Sequence, residues 1–572
     1  MTRTHMRLCR GLLLVTSLSF VSPAVAQEAS PPQHAIEDWS TRHVVFTGLT
    51  PENVSEVAKA DPRAWSVWRK HARYQLWPVI DDTESREGDH RHRRRPPRAH
   101  GEKRFDWQVS LGSTVGPWAS PAKFSFDINA QPDCTNDYVV FPTNAINTPG
   151  STLRASLIAF NNLYTGPGPS GICPSPASPA SQPSVLFAYN VATTTDGVTP
   201  LSPVLSLDGK KIAFIENNIA SGGPVLVFHV LTWKAGEGTS WSTPAVPGDC
   251  SPGNSCLISL DLSDTFGDSR SNPFVDYAHD TAYVGDNVGF LHKITPVFNG
   301  VPQEVTTNGW PLRLPSSPQS PVYDSVSGRI LVTDVNSCAL YVIDAASASL
   351  LATKTFSCSD QSDVIVDSTD QTAFVVLAAF PSFELTALQF DSSGTLLAQT
   401  PVGALGGNVN VFSGAFDHQY FSSPSLGHFY LAGALNGIAS ICSVGFTAGI
   451  MNTSFNGPLP LTTTGFTSIP LRLTEIYNPS FSNGPDRLFL PIDENCGPSL
   501  GGDGDGCIES VDVSNGFPTS ILNSYLVPTG GAMFSISGLI VDNVSSSAQA
   551  SSIYFEVGPP YVAIKLTQAA LQ

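Results

Sequence analysis

Residues 320–356 read SPVYDSVSGRILVTDVNSCALYVIDAASASLLATKTF. Four apolar runs stand out: Pro321–Asp324, Arg329–Asp334, Cys338–Asp344 and Leu350–Phe356. Ser327-Gly328, Asn336-Ser337 and Ala345–Ser349 separate them. Short runs of Val, Ile, Leu and Tyr broken by Gly, Asn, Asp and Ser predict antiparallel strands joined by tight turns.

The pattern recurs. One strand of the motif aligns at eight places: Asp137–Phe141, Lys211–Ile215, Thr281–Gly285, Arg329–Thr333, Thr372–Val376, His428–Ala432, Arg487–Pro491 and Ser552–Glu556. Successive starts lie 74, 70, 48, 43, 56, 59 and 65 residues apart, which suits units of about 40–50 residues carrying loops of variable length. A short polar residue and Pro often open the preceding strand, as at Ser202-Pro203, Asn272-Pro273, Ser320-Pro321, Ser423-Pro424 and Asn478-Pro479. Pro is tolerated at a strand's first residue, so this placement supports the alignment. Four-stranded units repeated radially predict an all-β propeller of seven or eight blades, with the repeats read as inner strands. A single blade cannot hide both of its apolar faces, and a ring of blades can. The last copy lies close to the C-terminus, so Phe105–Leu111 (FDWQVSL) is expected to complete its sheet.

The N-terminus reads as a signal peptide over 1–26. Arg3, Arg7 and Arg10 precede the apolar Gly11–Phe20, and Ala24-Val25-Ala26 forms a small-residue cleavage site. Gly11–Phe20 is too short to span a bilayer. The expected compartment is therefore secreted or periplasmic, with no membrane anchor. Ten cysteines occur, and Cys9 leaves with the signal. Proximity in an oxidising compartment pairs Cys134 with Cys173, Cys250 with Cys256, Cys338 with Cys358 and Cys496 with Cys507, leaving Cys442 as a buried thiol. The third pair is expected to staple the outer strands of its own blade.

Residues 27–83 read as a small helical segment. Thr50-Pro51-Glu52 and Asp61-Pro62-Arg63 each put a capping residue before a Pro at the first helical position, and Trp65, Trp68, Ala72 and Leu76 share one face. Residues 84–104 hold almost no apolar side chains, three histidines and the run Arg93-Arg94-Arg95, the composition of a disordered basic linker. The propeller proper then occupies 105–572. From Phe105 onward there are 13 Lys+Arg against 36 Asp+Glu, which argues against nucleic acid or an anionic membrane surface as partner. A monomer is expected.

Thr281–Ile294 (TAYVGDNVGFLHKI) and Arg329–Phe356 resemble blades of YVTN-type and quinoprotein-like propellers, where a strand of the form "ayvgd" leads through a turn into "lyviD". The resemblance implies a propeller. The Gly-Lys turn and strand-ending Trp of the quinoprotein pattern have no counterpart at Ser347–Leu351, so no cofactor is inherited. Asp38–Phe46 (DWSTRHVVF), Phe228–Ser240 and Ile564–Gln572 make the whole chain similar to large exported bacterial propeller-like proteins of unassigned function.

Candidate chemistry is sparse. Asp503 and Asp505 could offer oxygens to Ca²⁺, but EF-hand spacing is not met. Asp417-His418 and the cluster Asp276, Tyr277 and His279 could each supply a general base, yet Asp and His also hold turns together. The sequence holds no GxSxG, HExxH or GxxxxGK[ST] motif. The expectation is a non-catalytic module that binds a protein or glycan through its loops. The alternative is an enzyme with a channel-mouth site: a lyase, a glycosidase or a cofactor-dependent oxidoreductase.

Overall fold

The computed structural model describes residues 36–37, 44–46 and most of 105–567. Within 105–567 it leaves out 113–118, 126–131, 166–172, 174–181, 219–225, 249, 263–267, 335, 407–409, 412–413, 423, 463–470, 478–485, 494–495, 497–505, 528–534, 543–551 and 559–560. The described chain forms an eight-bladed β-propeller of four-stranded antiparallel blades.

Blade 4 is the stretch that opened the sequence reading: Val322–Asp324, Arg329–Thr333, Ala339–Asp344 and Ser349–Thr355. Blade 1 comprises Ala122–Ser125, Tyr138–Pro142, Leu157–Asn161 and Ser184–Tyr189. Blade 2 follows with Val204–Leu205, Lys211–Asn218, Val227–Thr232 and Cys256–Asp261. Blade 3 holds Phe274–Asp276, Thr281–Gly285, Phe290–Ile294 and Leu312–Arg313. Blade 5 runs Ile365–Asp367, Thr372–Ala379, Glu384–Asp391 and Leu396–Ala404. Blade 6 is Ala415–Phe416, His428–Leu435, Ile438–Thr447 and Ile450–Pro460. Blade 7 is Thr474–Tyr477, Asp486–Ile492, Cys507–Asp512 and Ile521–Leu526.

Blade 8 takes Ile540–Asp542, Ser552–Gly558 and Tyr561–Thr567 from the C-terminal end, and Phe105–Gly112 as its fourth strand. Phe105 stands opposite Leu566 and Gly112 opposite Tyr561. The ring is thus closed by a strand from the other end of the chain, as expected. All eight aligned repeats are strands. They stand second in their blades, each after the short preceding strand that the sequence indicated. Burial shows the order: Ile365–Asp367 is wholly buried, whereas Ser349–Thr355 is exposed along nearly all its length.

Apolar residues dominate the second and third strands on both faces because both faces of a blade are covered. In blade 5, Ala373, Val375 and Leu377 face the cluster shared with blade 4, while Phe374 and Val376 face that shared with blade 6. Blade 7 sends Leu488 and Leu490 toward blade 6 and Phe489 toward blade 8. The remaining clusters join blades 8 and 1, 1 and 2, and 2 and 3, so every seam in the ring has an apolar filling. Each large side chain so buried contributes roughly 1.5–3 kcal/mol.

All four expected disulfides are formed. Cys442 is a buried free thiol, and desolvation pushes it up to about 12. The third bridge differs in role. Cys358 opens a short strand paired to Ala379 of blade 5, so Cys338–Cys358 ties blade 4 to the next blade rather than stapling its own outer strands. The expected helices after Thr50 and Asp61 and the linker 84–104 lie outside the described residues. Within 27–83 two short strands are described, Ile36–Glu37 and Val44–Phe46.

The closing seam carries a buried charge pair. Lys565 Nζ donates to Asp106 Oδ2 at 2.8 Å, with both side chains essentially inaccessible, and Thr567 donates its hydroxyl to the same oxygen. Removing one partner of a buried pair leaves the other charge uncompensated. Asp106→Asn is therefore expected to destabilise the protein by about 3–5 kcal/mol. Urea unfolding checks this, and a loss below 1 kcal/mol would show that the seam does not depend on the pair.

Candidate functional site

Of the residues singled out for chemistry, Asp276, His279 and Asp417 serve turns, whereas Tyr277 donates its hydroxyl to the Leu205 carbonyl of blade 2. Asp276, Asp324, Asp367 and Asp417 lie at or just past the ends of first strands, fully buried. Each accepts a backbone N–H two or three residues on: Ala278 at 3.0 Å, Val326 at 3.0 Å, Thr369 at 2.9 Å and Tyr420 at 3.1 Å. This is the side-chain turn that Asp favours. His279 places Nδ1 2.6 Å from Asp276 Oδ2 while most of its ring faces solvent. Asp417 does not pair with its neighbour His418. Its carboxylate takes Nδ1 of His428 at 2.8 Å, and the His418 backbone N–H donates instead to Asp486 Oδ2 at 2.6 Å.

A second set of acids was not anticipated. Glu216, Asp286 and Asp334 stand at or just beyond the ends of the second strands of blades 2, 3 and 4, and each meets a polar aromatic side chain on the third strand. His229 Nε2 lies 2.8 Å from Glu216 Oε2, and Tyr341 donates its hydroxyl to Asp334 Oδ2 at 2.9 Å. His292 bridges two carboxylates, with Nδ1 2.5 Å from Glu304 Oε1 and Nε2 3.4 Å from Asp286 Oδ2. The register explains it: Phe214 faces His229, so Glu216 is the diagonal neighbour on the same face. The signal was visible as an acid closing the runs KIAFIE, TAYVGD and RILVTD, with His or Tyr central in the next run.

Glu216 is fully provided with donors. Burial opposes its ionisation, yet His229 and the hydroxyl and N–H groups of Thr193 and Thr194 hold its carboxyl down to about 2. An ionised Glu216 only accepts, so His229 donates to it from Nε2, and the Nδ1 of the same ring lies 2.9 Å from the Ser259 hydroxyl. Exposed Ser259 is thus linked through buried His229 to Glu216. The repetition of the acid–aromatic pair in blades 3 and 4, without a serine in the same place, makes this a device that fastens strands.

Long connections join third to fourth strands in blades 1, 2 and 3 (162–183, 233–255 and 295–311), and those of blades 2 and 3 emerge on one face of the ring. The second runs along the outer edge of blade 1. Gly236 donates to Leu186, Ala188 to Glu237 and Ala245 to Ala188, at 2.8–2.9 Å. This covers an edge strand that would otherwise be open. Its Trp241 lies so close to Gly112 that a Cβ there would stand 2.8 Å from the ring, and Gly112 has φ of +107°. Glu237 anchors the loop by accepting from Tyr189 Oη at 2.9 Å and Ser255 Oγ at 2.5 Å, beside the Cys250–Cys256 bridge. The third loop is pinned by Glu304 on His292 and by Asp280, whose carboxylate accepts Phe298 and Asn299 N–H at 2.8 Å. Between the anchors both loops expose small neutral residues: Thr239, Ser242 and Thr243 in one, Asn299, Thr306 and Thr307 in the other, with Val246 and Val301 beside them.

Asp503 and Asp505 lie outside the described residues. Among the described residues no group of three or more His, Cys, Asp or Glu is placed to hold a metal ion, and no helix is long and apolar enough to cross a membrane.

No family model matches the sequence, and the curated proteins gave no match. Solved structures similar to this chain include Sqt1 of Chaetomium thermophilum, with 14% identity over 82% of this chain and 98% of that one at a TM-score of 0.47. The C-terminal WD40 domain of Sif2 shows 9% identity over 80% and 97%, at 0.45. BamB from Moraxella catarrhalis shows 11% identity over 61% and 95%, at 0.28. At these values no activity or partner carries over.

Two pH effects follow from the buried groups. Burial lowers His292, but Asp286 and Glu304 outweigh it and raise the imidazole above its ordinary value. Its stabilisation is present below the unfolded-state value near 6.5 and is lost as pH rises through the raised one. With the intrinsic base catalysis of exchange divided out, the amide protection factors over 295–311 should therefore fall from pH 6 to pH 9, by about tenfold per unit of elevation, and His292→Gln should abolish that fall. Asp486 has the opposite consequence. Burial, then Glu475 and Asp417, push its carboxyl well above the usual range. The unfolded chain ionises near 4 while the fold holds the proton, so this group destabilises as pH rises. Asp486→Asn should raise the urea midpoint at pH 8 and leave it unchanged at pH 3, and the reverse order would refute the assignment.

Proposed function

We propose that the protein is an exported, non-catalytic propeller that binds a protein or glycan partner through the loop face of blades 1–3. The observation that carries this reading is the contrast between two sets of residues. The acids and histidines that suggest chemistry hold turns and fasten strands. The loops 233–255 and 295–311 are anchored at both ends and present neutral, hydrogen-bonding side chains outward. Loops fixed on a rigid scaffold are where recognition is usually placed. Neutral polar groups suit the hydroxyls of a glycan or the backbone of a peptide, and the acidic propeller disfavours polyanions. The signal sequence and the four disulfides support an oxidising compartment. The YVTN-like texture of blades 3 and 4 agrees with such a scaffold.

The test uses glycan and peptide arrays with the full chain and two variants. One carries Asn299→Ala, Val301→Ala, Thr306→Ala and Thr307→Ala; the other carries Thr239→Ala, Ser242→Ala, Thr243→Ala and Val246→Ala. The array ligand bound by the parent should lose at least about tenfold in affinity in one variant at unchanged melting temperature, since loss of a few contacts costs more than 1.4 kcal/mol. Equal binding by both variants would remove the loop face from the reading. Turnover of glycoside or polyuronate substrates by the parent would remove the non-catalytic assignment.

A further inference from the structure

The hairpin between the second and third strands of blade 5 differs from its counterparts. Its loop is Phe380-Pro381-Ser382-Phe383, exposed throughout, between the paired ends Ala379 and Glu384. Phe380 is 52% and Phe383 37% accessible, and their rings meet edge to face with centroids 5.5 Å apart. Phe383 has φ of +50°, the left-handed region that a bulky side chain rarely enters. The residue just before the third strand is Gly289 in blade 3, with φ of +103°, and blade 6 joins the same two strands through Asn436-Gly437. In blade 4 it is Cys338, tied by its bridge to Cys358. Gly and Asn suit this backbone, and Phe does not.

The hairpin is also held in place. Phe380 N–H donates to the Ser357 carbonyl at 2.8 Å, and Leu405 N–H donates to the Phe383 carbonyl at 2.7 Å. Cys358, bridged to Cys338, stands opposite Ala379. Two large rings are thus kept in water on a fixed and strained turn, where a turn residue would serve stability better. Strain of this kind is characteristic of ligand clamps.

Charge selects the occupant. An aromatic ring has a negative face, which attracts a cation. Glu384 follows Phe383 directly, and its carboxylate accepts the Ser382 hydroxyl at 3.1 Å. From Phe105 onward the chain carries 36 acidic against 13 basic residues, so the surroundings favour a cationic partner.

We propose that Phe380, Phe383 and Glu384 form a docking site for a protein segment that presents Arg or Lys beside an aliphatic side chain. Connections from second to third and from third to fourth strands leave opposite ends of the third strand, so this site is on the other face from loops 233–255 and 295–311. It goes beyond the loop-face reading, and either can fail alone.

The experiment measures anisotropy of the labelled peptide Gly-Ser-Arg-Leu-Arg-Ser-Gly with the full chain. The parent should bind it at least about tenfold more tightly than the same peptide with Gln in place of Arg. Phe380→Ser with Phe383→Asn should lose at least about tenfold in affinity, while the melting temperature holds or rises because Asn tolerates positive φ. Glu384→Gln should cost about threefold, the scale of an exposed ion pair, and weaken the salt dependence. Equal binding by the parent and the hairpin variant, or of the Arg and Gln peptides, would overturn the site. A lower melting temperature in the hairpin variant would show that the rings serve the fold, with the same result. Sedimentation in which the parent self-associates and the hairpin variant does not would replace the cationic segment by a second copy. The loop variants at 239–246 and 299–307 should bind this peptide as the parent does, and a loss in them instead would overturn the placement on this face.

Discussion

Ring closure is the constraint on which the rest of the protein depends. Seven blades are contiguous in the chain, and the eighth lacks a fourth strand of its own. Phe105–Gly112 supplies it from more than four hundred residues away. Without that strand the apolar faces at the seam between blades 8 and 1, Trp107, Val139, Phe141, Ile158 and Tyr554 among them, would have no common filling. The seam is reinforced unlike the others. Lys565 and Asp106 pair inside it, the rings of Trp107 and Tyr554 lie 6.0 Å apart, and Trp241 from blade 2 lies over Gly112. A buried ion pair adds little net stability against apolar packing, but it penalises a misregistered strand, because a slip leaves both charges unpaired. A Phe105–Gly112 strand shifted by one residue would also turn Trp107 away from the core.

Once the ring is closed, the blades need fastening at the ends of their strands, where apolar contacts run out. Buried acids do this. At first-strand ends Asp caps the turn through backbone N–H groups, and beyond the second strands of blades 2–4 an acid meets His or Tyr on the third strand. A carboxylate buried without donors would cost several kcal/mol, so each position is provided with two or more. Glu556 is the contrast. It sits in the second strand of blade 8, and burial alone pushes it up to about 8, so it is held largely neutral at pH 7.

The repeat was legible because both faces of each blade are buried, which makes the second strand an apolar run wherever it occurs. The disulfides were legible because partners lie near in sequence and the signal peptide expected over 1–26 implied an oxidising compartment. Closure was legible from a missing strand at one end and a surplus strand at the other. What was not legible belongs to register and neighbourhood. Nothing in the run KIAFIE says that its Glu will lie diagonal to His229 until the hairpin register is set. Asp417 precedes His418 in sequence, yet its carboxylate meets His428, because the short helix His418–Ser422 carries the first histidine away. The first strands, only two to four residues long, are too short for a periodic signal and were marked in the sequence only by the polar residue and Pro that open many of them.

This division bears on function. A propeller whose buried acids are committed to turns has little freedom to reposition them, since moving one leaves N–H donors unpaired at about 1–3 kcal/mol each. Variation can then accumulate where hydrogen bonds do not hold the ring, in the connections between third and fourth strands and along the channel edge of the first strands. Among the described residues both places carry additional segments, the loops 233–255 and 295–311 and the strands at 36–37 and 44–46. The loops 233–255 and 295–311 are fixed at several points by carboxylates and a disulfide, so they present a set surface, and a partner meeting it would cost little conformational freedom. The channel strands are joined to their walls by main-chain pairing over two or three residues. So few hydrogen bonds, each worth about 1 kcal/mol net, hold these strands less firmly than the core of a blade is held.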